Sequence, residues 1–337
     1  MPFRVSVASF RLGRTKIVAS VVAAVASIAM PGAAFAQQPP AGPVRIVVPF
    51  PAGGAADFTA RLIAQKLADE WKNNSIVVEN HAGANGNVGA AIVSRAAPDG
   101  STLLLSSPGV FTTNRYLYKS MPFDPDGGLV PVSLAIISPN VLVRNPDFDA
   151  PTLQAVIDRA RVNAGKVQYA SQGVGSTAHL TGALMAQIAD VDLVHVPFRG
   201  DAPALNAVVA GHVPIMWNTL GSVLPQVRAG KLDALAVGTT ERLTGLPDVP
   251  TARQAGLPGF ESVTWFAMAA PGGTPDAVVN AVSQAVARAL RADDVRARLA
   301  ETELRAVGSS PAEMRDFVAA EARKWKAVIE KAGIKPE

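Results

Sequence analysis

The sequence contains no cysteine among its 337 residues. This absence excludes disulfide bonds, thiol catalysis, thiolate metal sites and a cysteine that carries a lipid anchor. The chain also lacks the G-x-S-x-G, H-E-x-x-H and G-x-x-x-x-G-K-S/T motifs that mark many hydrolases, metalloproteases and nucleotide-binding proteins. Its histidines are too widely spaced to suggest a metal-binding triad; they are His81, His179, His195 and His212. We therefore expect no metal, no cofactor and no catalysis.

Residues 1–36 are predicted to form a secretory signal peptide. A basic start without acidic residues precedes an uncharged apolar run from 17 to 30. That run is shorter than the ~20 residues that a transmembrane helix requires. Ala34-Phe35-Ala36 then supplies the small residues that a signal peptidase recognises. We expect cleavage after Ala36 and release of the mature chain into the periplasm.

Removal of this leader leaves the mature chain with equal numbers of basic and acidic residues. The leader holds four of the 31 Lys and Arg residues and none of the 27 Asp and Glu residues, which leaves 27 of each and a net charge of zero. Nucleic acids and anionic membrane surfaces are therefore poor candidates as partners. With the leader and the absence of cysteine, this balance favours a soluble periplasmic protein, which we expect to be a monomer.

The stretch from Ile46 to Arg61 combines a strand, a glycine turn and a helix. An apolar run ends at Pro49-Phe50-Pro51, the chain turns at Gly53-Gly54, and apolar residues then recur at helical spacing. Such a turn leaves the first backbone N–H groups of the helix free, at the positive end of its dipole. The stretch therefore indicates an anion-binding site, and a structural turn without a ligand fits the bare pattern equally well.

Strands and helices alternate along the chain, which favours a parallel sheet with ligand-binding loops at the carboxyl ends of its strands. Glycine or hydroxyl residues stand at three such ends, at Gly53-Gly54, at 83–86 and at Ser106-Ser107. The long apolar segment 132–144 suits a strand that crosses from one domain into another. A second α/β series follows it.

Capping residues predict several helix boundaries. Thr152 is expected to cap one helix and Thr274-Pro275 to cap and start another, while Ser310-Pro311-Ala312-Glu313 is typical of a capping box. The pattern also predicts a strand at 213–217 and two helices at the end of the chain. We expect the aromatic residues of the last helix, such as Trp325, to lie in the core.

A second glycine-rich turn, Gly173-x-Gly175-x-x-Ala178, follows a predicted strand and opens a helix. A dinucleotide fingerprint has this form, but its acidic partner would be Asp192, which precedes the next strand instead of ending it. The loop suits a second anion-binding site better, because free N–H groups and the hydroxyls of Ser176 and Thr177 all donate hydrogen bonds. Two such sites across a cleft would hold the two ends of a small anion.

Six motifs occur in order along the chain and carry a resemblance to a known family. They are Pro49-Phe50-Pro51-Ala52-Gly53-Gly54-x-x-Asp57, Val78-Glu79-Asn80-x-x-Gly83-Ala84-x-Gly86-Asn87-x-Gly89, Pro98-Asp99-Gly100-x-Thr102-Leu103, Gly175-Ser176-x-x-His179-Leu180, His195-Val196-Pro197-Phe198-x-Gly200 and Pro247-Asp248-Val249-Pro250-Thr251. Together they resemble the periplasmic solute-binding proteins of the tripartite tricarboxylate transporter system, the TctC or Bug receptor family. The resemblance covers essentially the whole chain after the leader.

The resemblance implies an α/β fold of the type II-like periplasmic binding protein, a Venus flytrap of two α/β domains joined by two crossing strands. Residues 37–138 with 239–337 would form domain I, and 139–238 would form domain II. It further implies a receptor that captures a dicarboxylate, an acidic amino acid or an aromatic carboxylate, for uptake or sensing. A tripartite tricarboxylate membrane transporter would be its partner.

By the same resemblance, the loops at 50–57 and 175–179 hold carboxylate groups, and other loops line the cleft. The expected ligand-binding residues are Phe50, Ala52, Gly53, Gly54, Asp57, Gly83, Ala84, Asn85, Ser106, Ser107, Gly175, Ser176, Thr177, His179, Phe198, Arg199 and Asn218. The chain departs from the family pattern at His81-Ala82, Asn85 and Phe198. These positions border the cleft and bear on the ligand more than on the fold.

Two of these side chains each have more than one predicted role. Arg199 suits either a bidentate contact with a ligand carboxylate or a solvated surface position. Asp57 only accepts hydrogen bonds when ionised, so it suits bracing of the loop, ordering of a water or recognition of a ligand ammonium group. The functional alternatives are an exported α/β hydrolase or lyase acting on a carboxylated substrate, and a periplasmic scaffold or sensory partner with an empty cleft.

Overall fold

The computed structural model of the protein describes residues 42–72 and 75–336. The expected signal peptide and its cleavage site lie outside these residues. Within the described ranges, no helix is long and apolar enough to cross a membrane.

A single ten-stranded sheet organises the fold, in the order β2-β1-β3-β9-β4-β7-β5-β6, with β8 and β10 both paired to β4. The strands are β1 (Val44–Val48), β2 (Ile76–Asn80), β3 (Thr102–Ser106), β4 (Leu129–Arg144), β5 (Val167–Ser171), β6 (Leu193–Pro197), β7 (Ile215–Thr219), β8 (Asp233–Val237), β9 (Val263–Pro271) and β10 (Arg305–Ala306). The expected alternation of strands and helices is present.

Helices cover the sheet and connect its strands. The α-helices are α1 (Ala55–Trp71), α2 (Asn87–Ser94), α3 (Asn114–Leu117), α4 (Leu153–Val162), α5 (Thr177–Ala189), α6 (Asp201–Val209), α7 (Leu220–Arg228), α8 (Asp276–Arg291), α9 (Asp293–Glu301) and α10 (Pro311–Lys331). A 3₁₀ turn at Ala84–Gly86 precedes α2, and a π-helical turn at Gly109–Thr113 precedes α3.

Strand β4 runs through both halves of the sheet. It pairs antiparallel with β9 as far as Pro139, and with β7 from Asn140 onwards. We call β1, β2, β3, β9 and β10 the first half-sheet, and β5, β6, β7 and β8 the second half-sheet. Within the first, β1 pairs parallel with β2 and β3, and within the second, β5 pairs parallel with β6 and β7. The loops that the sequence predicts to bind a ligand follow the carboxyl ends of these parallel strands.

Each half-sheet has its own apolar core. Ile46 of β1 packs with Ile63 of α1 and Val282 of α8 in the first. Trp217 of β7 packs with Val156 of α4 and with Phe260, which precedes β9, in the second. The expected division at 138/139 and 238/239 stays a prediction.

Two capping predictions are confirmed. Thr152 Oγ1 accepts a hydrogen bond from the N–H of Ala155 over 3.1 Å. Ser310 forms the complete capping box with Glu313 ahead of α10, in which Trp325 is buried as expected.

Three local predictions are wrong. Thr274 does not cap α8: its hydroxyl donates to the carbonyl of Pro271, and Pro275 is the N-cap residue. The chain ends with three helices instead of two, because α9 and the short strand β10 lie between α8 and α10. Strand β7 begins at Ile215, two residues later than expected.

Candidate functional site

The turn between β1 and α1 is held by Asp57. The N–H of Gly53 donates to Asp57 Oδ2 over 3.0 Å, and Arg61 donates to both carboxylate oxygens, with Nη2 to Oδ1 at 2.9 Å. Asn80, at the end of β2, donates to the carbonyl of Phe50 over 3.0 Å. The side chain of Asp57 therefore braces the turn, which was one of its three expected roles.

The charge of Asp57 is stabilised locally although the residue is only 5% exposed. Burial alone would raise its pKa, but hydrogen bonds from Arg61, Gly53 and Asn80 outweigh burial and lower the pKa below its usual value. The carboxylate is thus ionised at neutral pH and partly offsets the positive dipole end of α1.

The start of α1 still offers free donors. The N–H groups of Ala55 and Ala56 donate to no acceptor among the described residues. Ala52, Gly53 and Gly54 are exposed beside them. These groups lie where the sequence predicts the first of the two anion-binding sites, and that assignment stays a prediction.

The loop after β2 has an unusual backbone. Gly83, Ala84, Asn85 and Gly86 all have positive φ, at 148°, 45°, 47° and 94°. This conformation costs non-glycine residues about 1–2 kcal/mol each, and Asn114 of α3 offsets that cost. Its buried side chain accepts from Asn85 Nδ2 over 2.8 Å and donates to the Asn85 carbonyl over 3.0 Å.

Two serines end strand β3 next to this loop. Ser106 is fully buried and its Oγ has no hydrogen-bond partner within the described ranges. Ser107 is partly exposed and lines a small cavity described below. A buried hydroxyl without a protein partner is uncommon in folded proteins, and the burial of Ser106 leaves Ser107 as the serine at the surface of this strand end.

The other site that the sequence predicts is the turn between β5 and α5, in the second half-sheet. Ser176 is the N-cap of α5, and its Oγ accepts from the N–H of His179 over 3.3 Å. The N–H groups of Thr177 and Ala178 have no acceptor in the part of the chain that the structure describes. No acidic residue lies in the first turn of α5, so its dipole is not offset as it is in α1.

Two histidines lie behind this loop. The rings of His179 and His195 stack with a centroid distance of 3.7 Å and an interplanar angle of 10°. His179 Nδ1 accepts from the N–H of Gly175 over 3.0 Å, and His195 Nε2 lies 2.6 Å from Ser171 Oγ. Burial and the neighbouring His195 lower the pKa of His179 to about 3, and burial lowers the pKa of His195 to about 4. Both rings are therefore neutral at neutral pH.

The remaining expected residues lie at the ends of β6 and β7. Asn218 is buried and donates to Asp201 Oδ1 over 2.7 Å, while Gln172 donates to Asn218 Oδ1 over 2.8 Å. Phe198 is half-buried, and Arg199 is exposed without an ion pair or hydrogen bond to another described residue. Asn218 is thus fixed by neighbours, whereas Arg199 is free to move.

Residues from both half-sheets line one small cavity. Its lining residues are Asn85, Ser107, Pro108, Gly109, Thr113, Gly175, Thr177, Leu180 and Trp325. Four of the expected site residues therefore meet there, two from each half-sheet. By contrast, no hydrogen bond or ion pair between described residues links the loop 50–57 to the loop 173–177.

Several residues around the cavity were not expected from the sequence. Asn114 supports the Asn85 loop, Trp325 lines the cavity, and Leu117 lies against Gly175, where an added Cβ would be 2.5 Å from Leu117 Cδ1. None of these residues belongs to a motif. Only the tertiary structure places them beside the loops.

The arrangement is suited to binding and not to covalent chemistry. Ser176 Oγ is occupied by a backbone N–H instead of a base. Ser171 does contact His195, but it is fully buried and also bonded to Gly173. Among the described residues, no cluster of three or more histidines and carboxylates is placed to hold a metal ion.

The sequence comparisons show that the chain is similar to receptors of a transport system. The model of the tripartite tricarboxylate transporter family receptor matches residues 59–334. The protein BugT of Bordetella pertussis is 33% identical over 325 residues, which cover 96% of this chain and 99% of BugT.

Solved structures are similar over most of the chain. An R. palustris protein solved with adipate has a TM-score of 0.81 and 34% identity, covering 88% of this chain and 99% of that chain. MatC from Rhodopseudomonas palustris with bound malate has a TM-score of 0.76 and 34% identity, covering 86% and 99%. These similarities confirm the expected α/β Venus flytrap fold of a periplasmic binding protein.

Proposed function

Because the chain belongs to the tripartite tricarboxylate transporter receptor family, whose members are substrate-binding receptors and not enzymes, we propose that it captures a small dicarboxylate in the cleft between its two half-sheets. One carboxylate is bound at the start of α5 and the other beside the β1–α1 turn. The ligand is held for uptake or sensing and undergoes no chemical change.

The observation that carries this proposal is the cavity that Asn85 and Ser107 share with Gly175 and Thr177. Thr177, the first residue of α5, lines this cavity, and we propose that its free N–H and that of Ala178 donate to a carboxylate without competition from an acidic side chain. The α1 start supplies a second set of free N–H groups on the first half-sheet. A linear diacid has two charges that match two such donor sets.

The solved relatives narrow the ligand class. One was solved with adipate and another with malate, and both are dicarboxylates. Asn85 and Phe198 replace residues that are common in the family, and both border the expected cleft. We propose that these two side chains select among dicarboxylates by size and polarity.

A thermal-shift screen of the chain without residues 1–36 tests the proposal. The panel contains malate, adipate, glutamate and benzoate, with adipamide as the uncharged control of matched length. A ligand at about 100 times its Kd adds about 2.7 kcal/mol of stability, so we expect a clear rise in Tm with a dicarboxylate and none with adipamide. No rise with any carboxylate would contradict the proposal and favour a scaffold with an empty cleft.

Proline substitution removes the proposed donors one at a time. Thr177 is the first residue of α5, and Ser176 before it has φ −64° and ψ 157°, a conformation that proline tolerates in its predecessor. Thr177→Pro removes one free N–H without breaking the helix, and we expect the Kd of a dicarboxylate to rise at least about tenfold. Thr177→Val keeps the N–H and loses only the hydroxyl. If both variants bind as wild type does, the α5 start is not the carboxylate site.

The rival function is hydrolysis or elimination of a carboxylated substrate. Prolonged incubation of the purified chain with each panel compound, followed by chromatography, distinguishes the two. Recovery of unchanged ligand supports a receptor, while turnover of any panel compound would support an enzyme.

Export and assembly are part of the same proposal. We propose cleavage after Ala36, a monomeric mature protein in the periplasm and delivery to a tripartite tricarboxylate membrane transporter. Intact-mass measurement of the exported chain tests the cleavage site, and light scattering tests the monomer. Uptake of labelled ligand with and without the membrane transporter tests the delivery.

A further inference from the structure

The stacked pair of His179 and His195 connects two different parts of the fold. His179 lies in the first turn of α5, and His195 lies in strand β6. Strand register places His195 beside Tyr169 of β5, with ring centroids 5.2 Å apart. Tyr169 OH donates to the carbonyl of His179 over 3.2 Å, which ties this cluster of three rings to α5.

Each histidine holds a different part of the loop that precedes α5. His179 Nδ1 accepts from the N–H of Gly175. His195 Nε2 contacts Ser171 Oγ, which in turn bonds to both the N–H and the carbonyl of Gly173, at 3.1 Å and 3.0 Å. The two rings therefore support the loop near its start and just before the helix.

His179 faces away from the proposed ligand. Its side chain borders a separate, open cavity of about 590 Å³, which shares no lining residue with the small cavity between the half-sheets. Tyr169 and His195 line the same open cavity, and its charged residues are Arg161, Asp190, Asp192 and Lys331. With Nδ1 occupied by Gly175 and only 6% of the residue exposed, His179 is not placed to touch a ligand at the α5 start.

We propose that His179 and His195 are positioning residues, which fix the loop 173–177 so that the free N–H groups of Thr177 and Ala178 point at a carboxylate. This inference rests on the proposed function and replaces direct ligand contact as the role of His179. The pair fixes the loop only when both rings are neutral. A protonated Nδ1 of His179 would be a donor and would repel the N–H of Gly175 instead of accepting from it. His179 is therefore the Nε2–H tautomer.

The surroundings of the pair keep it neutral. Two imidazolium rings at a centroid distance of 3.7 Å would repel each other. The acidic residues of the open cavity, Asp190 and Asp192, are exposed, as are Arg161 and Lys331, so solvent screens their effect on the rings. The loop geometry is thus independent of pH near neutrality.

Nitrogen NMR of the histidine side chains tests the tautomer without any ligand. In the wild-type protein, we expect His179 to show an unprotonated Nδ1 and a protonated Nε2, with no titration between pH 7.5 and about 5. A short histidine-containing peptide measured in the same buffer serves as the control, because an ordinary histidine has a pKa of about 6.5. A protonated Nδ1, or titration of His179 together with the control peptide, would overturn the proposal even if the protein binds carboxylates.

Two substitutions test the positioning role. His179→Asn keeps an acceptor close to the Nδ1 position, whereas His179→Phe keeps a ring for stacking without an acceptor. Because one backbone hydrogen bond is lost, we expect His179→Phe to raise the Kd of a dicarboxylate about tenfold, and His179→Asn to restore binding to within about threefold of wild type. His212→Phe is the matched control and should leave the Kd unchanged.

The outcomes separate this inference from the proposed function. If wild type binds no carboxylate, the proposed function fails and the NMR measurement alone decides the state of the pair. If wild type binds and His179→Phe, shown to be folded by circular dichroism, binds equally well, the positioning role is wrong. Equal weakening in the Phe and Asn variants would likewise overturn the assigned acceptor role of Nδ1.

Discussion

Thr181 Oγ1 and Ser262 Oγ lie 2.6 Å apart, which joins helix α5 to the residue before strand β9. Thr181 also donates to the carbonyl of Thr177, so its only hydroxyl proton is used and Ser262 is the donor between the two. Ser262 in turn accepts from Asn140 Nδ2 over 3.0 Å. The helix with the proposed carboxylate site is thereby connected to β4 at the point where that strand changes partners.

Ser262→Ala should destabilise the protein by about 1–3 kcal/mol, because the buried Nδ2 of Asn140 loses its acceptor and the buried Oγ1 of Thr181 loses its donor. Urea unfolding measures the loss. Ser138→Ala is the matched control, since Ser138 is buried in the same region but its Oγ has no partner in the described structure. Equal losses in the two variants would show that the network adds nothing beyond burial.

Gly175→Ala should weaken both folding and ligand binding. Gly175 has φ +74°, and an added Cβ would lie 2.5 Å from Leu117 Cδ1. Gly230→Ala is the control for backbone strain alone, because Gly230 has φ +67° and nothing within 4 Å of an added Cβ.

The left-handed backbone strain alone costs about 1–2 kcal/mol. We therefore expect Gly230→Ala to lose that much free energy of unfolding and to keep the wild-type Kd for a dicarboxylate. Gly175→Ala should cost more and also raise the Kd, and Leu117→Ala in the same chain should recover part of the binding. The steric argument fails if the two glycine variants are equally stable and bind equally well.

Asn114→Ala should release the loop 83–86. The substitution removes the hydrogen bonds that hold Asn85 in its left-handed conformation, and we expect a loss of about 1–3 kcal/mol. Asn114→Asp keeps the acceptor for Asn85 Nδ2 but loses both donated bonds, one of which goes to Asn87 Oδ1 over 2.7 Å. It should therefore be no more stable than Asn114→Ala, and a fully stable Asp variant would contradict the hydrogen-bond assignment.

The sequence predicted the strand-to-helix turns of the candidate site better than the residues that support them. Gly53, Gly175 and Ser176 lie at strand-to-helix turns, where local spacing defines the turn and the free N–H groups. The stacking of His179 on His195 depends on the pairing of β5 with β6, and residues 16 positions apart in sequence show no local signal of it. Helix α9 was missed because only Val295 and Leu299 of its residues are buried, which is too few for a helical pattern.

Asp57 variants distinguish a loop brace from an ammonium receptor. Both carboxylate oxygens are already bonded to Gly53 and Arg61, so we expect Asp57→Ala to weaken dicarboxylates and acidic amino acids by the same factor. Asp57→Asn keeps an acceptor for Gly53 and should lose less. Calorimetric titration with malate and glutamate measures the factors. A loss confined to glutamate would instead assign Asp57 to the ligand ammonium group.

The histidine pair should make the protein less stable as pH falls from 7 to about 4. The pKa of each ring is lowered on folding, to about 3 for His179 and about 4 for His195, whereas an unfolded histidine has a pKa of about 6.5. Between these values the unfolded chain binds more protons, so the free energy of unfolding decreases as pH decreases, by up to about 1.4 kcal/mol per pH unit for each ring. Urea unfolding at pH 7, 6, 5 and 4.5 measures the slope.

The lowered pKa of Asp57 acts in the same direction but below its unfolded value of 3.8, outside this range. The double variant His179→Asn, His195→Gln should flatten the slope, and an unchanged slope would locate the proton uptake elsewhere in the chain.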